Sequence, residues 1–327
     1  MSRKNGIDLF RLIAAFFIMC IHTNYGSLNP EYVDTLRLLS RWAVPFYFLA
    51  TGFFLGDKIV NNNLDFNRIQ KNVSMLISIL IVASIIYLPI DFIHGNNINS
   101  IATILTGSYF HLWFIGGLLI GYIFIWYLFY IQKIKVLPYI SIFILLSALL
   151  TDSYDQLFNQ NIDFSLFSLL LSIPFMHIGI IISKKDTNLI SNKLLIALVL
   201  IGFSIQFIEA ELFLKLFDYK KYTHQFLLGT IITAIPLFIL SSKINLKKNR
   251  FSKWGKKYSL LLFLYHPLVY EIIRVVLTKV VPNYYDTISI FYPFIGFALT
   301  LTFAIMLNRL FPKIYNILNG NFNEKIS

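Results

Sequence analysis

Ten apolar runs, each near the length that crosses a lipid bilayer, leave this chain little choice of fold. They cover approximately residues 6–25, 36–56, 72–93, 111–130, 136–150, 165–182, 194–213, 225–241, 259–278 and 288–308, the fifth being the shortest. A helix of about 20 apolar residues spans the roughly 30 Å hydrocarbon core. The runs are continuous and do not alternate as barrel strands do, so helices are the predicted spanning form. Only 13% of the residues are charged and 57% are hydrophobic. A soluble globular domain carries about 25% charged residues. The expectation is an all-α polytopic membrane helix bundle of about ten transmembrane helices. It would fill residues 1–327 as a single integral membrane domain with no soluble domain attached.

The net charge of +12 does not imply a nucleic-acid partner, because most basic residues sit in short loops between the runs. Placing the N-terminus inside puts 20 Lys and Arg in cytoplasmic loops, among them Lys58, Arg68, Lys71 and the seven cations from Lys243 to Lys257. Five fall outside: Arg37, Lys215, Lys220, Lys221 and Lys279. This asymmetry follows the positive-inside rule, and anionic membrane lipid is the natural partner of the inner loops. The even number of runs then makes both termini cytoplasmic. The outer loops at 94–110 and 151–164 are rich in Asn, Ser and Asp and contain no Lys or Arg. They suit an aqueous vestibule or a simply solvated surface. Cys20 is the only cysteine, which excludes an internal disulfide and a cysteine metal cluster. No cleavable signal peptide is expected, since the first run lacks a small-residue cleavage pattern. No internal repeat of the transporter kind is visible.

Ionisable residues inside the apolar runs are costly and mark candidate sites. The first run carries Asp8, Arg11 and His22. Eleven helical residues turn through about 1100°, so Arg11 and His22 share a face and stand about 16 Å apart along the axis. Asp8, one turn before Arg11, can pair with the guanidinium. Arg11 toward the cytoplasmic half can grip phosphate bidentately, or it can snorkel as half of a structural pair. His22 near the outer end can take a proton from a hydroxyl or become acylated; its alternative is a packed interfacial histidine. Arg41, in the second run, either holds an anionic acceptor or snorkels. Pro45 should disturb that helix and free a carbonyl. His111 and Trp113 open the fourth run, where they line the site with His22 or belong to the interfacial aromatic belt. His266 precedes Pro267 in the ninth run and is either a site residue or a satisfied imidazole at a kink. His177 reads as structural, and His94 and His224 fall in loops. No His-x3-His or His-Glu-x2-His pattern exists, so no metal is expected.

Together these residues resemble acyltransferase family 3, a family of integral membrane acyltransferases. The carriers are Asp8, Arg11 and His22; Arg41, Pro45, Phe46, Gly52 and Phe53; His111-Leu112-Trp113-Phe114; and Tyr265-His266-Pro267. The resemblance spans nearly the whole chain and includes the ten-helix count. It implies acetyl-CoA, or another acyl-CoA, as cytoplasmic donor, with Arg11 contacting it and its thioester presented near His22. The acceptor would be a hydroxyl of an extracytoplasmic cell-envelope glycan or polymer, at the plasma membrane. Some relatives carry an appended extracytoplasmic hydrolase-like domain. Without one, the chain would transfer directly or pass the acyl group to a separate extracytoplasmic transferase. A looser similarity to the membrane portion of vancomycin-resistance serine racemases implies amino-acid transport as the alternative function.

Overall fold

A computed structural model of the protein describes residues 4–23, 30–59, 64–93, 106–158, 165–218, 224–280 and 288–322. His94, most of the 94–110 loop, residues 159–164, and Arg3, Lys220, Lys221 and Lys325 lie outside the described residues. Among the described residues the structure is helical with no strand. The helices are α1 Asn5–His22, α2 Pro30–Ser40, α3 Ala43–Gly56, α4 Phe66–Ile93 and α5 Trp113–Tyr130. They continue with α6 Leu137–Thr151, α7 Ser165–Leu170, α8 Ser172–Lys184 and α9 Asn192–Phe217. The last are α10 Leu228–Lys243, α11 Arg250–Val280, α12 Tyr292–Leu310 and α13 Pro312–Leu318. Nine helical segments among the described residues are long and apolar enough to cross a membrane, and α10 is a tenth, shorter one. The protein is therefore a multi-pass membrane helix bundle, as the apolar runs require.

The runs break where prolines allow a new helix to start. The second run divides at the Arg41-Trp42 turn, so Pro45 sits in the first turn of α3 rather than inside a longer helix. A first-turn proline forfeits no helical hydrogen bond, because N–H groups there have no partner within the helix. The sixth run divides at Leu171 in the same way, with Pro174 in the first turn of α8. The fifth run gains length from the 3-10 turn Ile134–Val136 and reaches 18 residues. The eighth run stays short because residues 224–227 approach α10 as irregular backbone.

The helices fall into two compact units. The first comprises residues 1–47, 152–161 and 186–306, and the second residues 48–151, 162–185 and 307–327. In the second, α3 and α8 pack nearly backbone to backbone. A Cβ added at Gly52 would lie 2.0 Å from Met176 O, and one at Gly179 would lie 2.2 Å from Leu49 O. Small residues at such crossings recover in van der Waals contact what lipid tails do not supply as a hydrophobic drive. In the first unit, α1 and α11 meet the same way: a Cβ at Gly255 would lie 1.7 Å from Asp8 O.

The irregular approach to α10 is held by two buried carboxylates. Asp152 Oδ2 accepts from Gln225 N at 2.8 Å, Phe226 N at 2.6 Å and Ser153 Oγ at 3.0 Å. Glu209 accepts from Leu228 N at 3.0 Å and Gly229 N at 2.9 Å, so it caps α10 from α9, and it also accepts from the Tyr154 hydroxyl. Buried backbone donors left without such partners would each cost about 1–3 kcal/mol.

Substituting Gly255→Leu should force α1 and α11 apart and lower the thermal stability of the detergent-solubilised protein by about 1–3 kcal/mol or more. Leu200→Ala, on an exposed flank of α9, should leave the melting temperature nearly unchanged. Fluorescence-detected thermal unfolding of both variants checks this.

Candidate active site

Asp8 and Arg11 occupy one end of α1. Arg11 Nη1 lies 3.7 Å from Asp8 Oδ1, with Asp8 buried and Arg11 half-buried. The i,i+3 spacing brings the two groups over one another, and the carboxylate offsets the cost of holding a guanidinium inside the bundle. Tyr47, at the start of α3, donates its hydroxyl to Arg11 O at 2.6 Å and pins this turn of α1. The guanidinium therefore has a fixed base and a partly exposed head, an arrangement that can receive an anionic ligand.

His22 ends the same helix, eleven residues on, and is half-buried. Its ring centroid lies 5.5 Å from that of His266, with the planes 25° apart. His266 is fully buried on α11, and its Nδ1 lies 2.8 Å from Phe263 O and 3.1 Å from Leu262 O. Tyr270, one turn further along α11, sets its ring nearly perpendicular to that of His266, with centroids 5.6 Å apart. Its hydroxyl donates to Met19 O at 3.1 Å. Thr23 Oγ1 donates to Met19 O at 2.7 Å and lies 3.0 Å from the Tyr270 hydroxyl. Arg37 Nη2 donates to Thr23 O at 3.4 Å. The last turn of α1 is thus clamped by α11 and α2, with two imidazoles side by side.

Arg41 is half-buried at the turn between α2 and α3. Its charge acts on Asp152 and on His224. Burial pushes the Asp152 carboxyl up to about 6 against the opposing pull of its hydrogen bonds and of Arg41. Burial, and secondarily Arg41, push His224 down to about 4. His224 Nδ1 is 3.1 Å from Ser153 Oγ, which donates to Phe226 O at 2.8 Å and reaches Asp152. The order differs from that of a nucleophilic triad. There the histidine stands between serine and carboxylate and takes the hydroxyl proton. Here the serine stands between, and its one proton is shared between Phe226 O at 2.8 Å and Asp152 Oδ2 at 3.0 Å. The cluster binds backbone.

His111 and Trp113 belong to the second unit. His111 is buried among the rings of Tyr87, Phe110 and Tyr109, at centroid distances of 5.1, 5.4 and 5.6 Å. Tyr87 and Tyr109 are themselves stacked at 4.4 Å. Trp113 begins α5 with its ring 6.5 Å from that of Phe48. His177 Nδ1 lies 3.0 Å from Ser141 Oγ, joining α8 to α6. Among the described residues no group of three or more His, Cys, Asp or Glu stands in a metal-holding arrangement.

The first unit thus brings together Asp8, Arg11, His22 and His266 along one helix pair, with Arg41 in a separate polar cluster. Sequence reasoning missed Thr23, Arg37 and Tyr270. Arg37, counted with the loops for its charge, is half-buried in α2. Tyr270 follows His266 by four residues and so shares its face, which is the one signal that could have found it.

Residues 4–309 match the family model described as an acyltransferase domain, that of acyltransferase family 3. Among curated proteins, an amino-acid racemase of Enterococcus faecalis is 27% identical over 307 residues, which is 86% of this chain and 43% of the relative. A second amino-acid racemase of the same organism is 31% identical over 157 residues, 44% of this chain and 20% of the relative. A serine/alanine racemase of Enterococcus gallinarum is 22% identical over 293 residues, 81% of this chain and 40% of the relative. The chain spans less than half the length of these curated relatives. No solved structure matches it significantly. With a family match that takes in all four motifs and nearly the full length, the chain belongs to acyltransferase family 3, the integral membrane acyltransferases.

Proposed function

We propose that the protein is a plasma-membrane O-acyltransferase that moves an acyl group, acetyl above all, from cytoplasmic acyl-CoA to a hydroxyl of an extracytoplasmic envelope glycan or polymer. The observation that carries this reading is one helix with an anchored guanidinium at one end and a paired imidazole at the other. The loop charges direct the Arg11 end to the cytoplasm. Arg11 then meets the phosphates of the donor, and the long flexible arm of the cofactor reaches toward His22. His22 serves as general base for the acceptor hydroxyl or as transient acyl carrier. In the first case it removes the hydroxyl proton as oxygen attacks the thioester carbon. In the second its nitrogen displaces the thiolate, and the acceptor oxygen then displaces the imidazole. Either route leaves an ester on the acceptor and free CoA thiol.

His22→Ala should insert and fold but lose acceptor acylation by about 10²–10⁴-fold, the usual worth of a general base. The assay is transfer of labelled acetyl from acetyl-CoA to envelope polymer in membrane vesicles, and wild-type transfer in the variant would remove His22 from the chemistry. Arg11→Lys should raise the donor KM about tenfold with a smaller change in kcat, since it keeps charge and loses the bidentate fork. Unchanged dependence on acetyl-CoA would remove the assigned contact.

A second reading, amino-acid transport, draws support from the racemase names of the relatives, of which this chain corresponds to less than half. It predicts uptake of labelled serine or alanine into proteoliposomes holding the purified chain, without acyl-CoA. Acyl transfer without such uptake would set it aside.

A further inference from the structure

Pro267 lies inside α11 and offers no N–H to Phe263 O, the carbonyl four residues before it. His266 Nδ1 takes that place at 2.8 Å, and it also reaches Leu262 O at 3.1 Å. A carbonyl only accepts, so Nδ1 carries the proton, and in the neutral ring Nε2 carries the lone pair. Two adjacent residues therefore make one device: the proline vacates a carbonyl, and the histidine fills it and is locked in a single tautomer. The ring so fixed lies 5.5 Å from that of His22 and within 25° of its plane. Tyr270 packs its ring nearly perpendicular to that of His266, with centroids 5.6 Å apart. Gly296 of α12 leaves Tyr270 its room, since a Cβ there would lie 2.1 Å from the phenol ring.

We infer that His266 is the positioning residue for His22, set by the carbonyl that Pro267 releases. The contact is ring beside ring, so a His266 ring that cannot turn fixes the place and plane of the His22 imidazole for proton removal or acyl carriage. The burial of His266 keeps it from substrate, so it acts through His22 and not on the acceptor.

The inference rests on the acyltransferase reading, and the test separates the two. In the full-length protein labelled with 15N-histidine, the His266 signals, assigned by their loss in His266→Gln, should show the Nδ1–H tautomer. Pro267→Ala returns a backbone N–H to Phe263 O. It should release the His266 tautomer and shift the His22 signals, which are assigned by their loss in His22→Ala. Acyl transfer by Pro267→Ala and His266→Phe should fall about 10²-fold in kcat, the scale of a misplaced catalytic group, with donor KM unchanged; His266→Phe, which strands Phe263 O, should also lower the melting temperature, whereas Pro267→Ala should not. An Nε2–H tautomer for His266, or His22 signals indifferent to Pro267→Ala, would overturn the inference, and neither readout depends on activity. Full kcat in both variants alongside an inactive His22→Ala would also overturn it. Wild-type transfer by His22→Ala would instead overturn the assigned chemistry and leave the spectroscopic arm to decide the inference.

Discussion

The pairing of α1 with α11 is the contact on which the first unit depends. The two helices run parallel and in step: Asp8 faces Gly255, and Thr23 faces Tyr270, each fifteen residues further along its own helix. At one end the contact is backbone on backbone and admits nothing larger than glycine. At the other it is polar, with a tyrosine hydroxyl on a helix carbonyl and two imidazoles alongside. Two parallel spans need an odd number of crossings between them, and among the described residues seven apolar helical segments lie between these two. One helix pair thus carries both the anchored cation and the histidine pair, about 16 Å apart along α1.

Proline marks the other decisions of the fold, and its effect turns on what can replace its missing N–H. At Pro45 and Pro174 the chain ends one helix and begins another, so no donor is lost. At Pro267 the helix continues, and a side chain supplies the donor. Helices also continue through Pro89 and Pro236. At Pro267 the preceding residue, His266, carries a ring nitrogen that folds back onto the carbonyl three residues earlier. The same residue type in Pro174-Phe175-Met176-His177 stands three places after its proline and reaches Ser141 on another helix instead.

These distinctions also explain what was legible in the sequence. The apolar runs, the Asp8–Arg11 pair and the shared face of Arg11 and His22 follow from periods of three to four residues within one helix. The division of the second run at Arg41 was not foreseen, because Pro45 alone does not say whether a helix kinks or restarts. The buried carboxylates were invisible for another reason. Asp152 serves backbone N–H groups 73 and 74 residues away, and Glu209 accepts from a tyrosine 55 residues before it. Such partners are chosen by packing between distant helices, and a single sequence carries no trace of that choice. His224 was read as a loop residue, which it is by backbone, yet it is fully buried against Ser153.

The same carboxylates bear on which chemistry the bundle favours. Coupled transport asks a buried acid to change its proton or its ion as the protein cycles. Glu209 binds two backbone N–H groups and a phenol, and Asp152 binds two backbone N–H groups and a hydroxyl, so both hold the entry to α10 in shape. A swing of either side chain away from this backbone would strand buried donors at about 1–3 kcal/mol each. Their hydrogen bonds commit them to the backbone. Arg11 keeps its guanidinium partly exposed beside Asp8, and His22 lies half-exposed beside the ring of His266. A fixed cation and a held imidazole suit the proposed group transfer from an anionic donor better than a cycle of ion release.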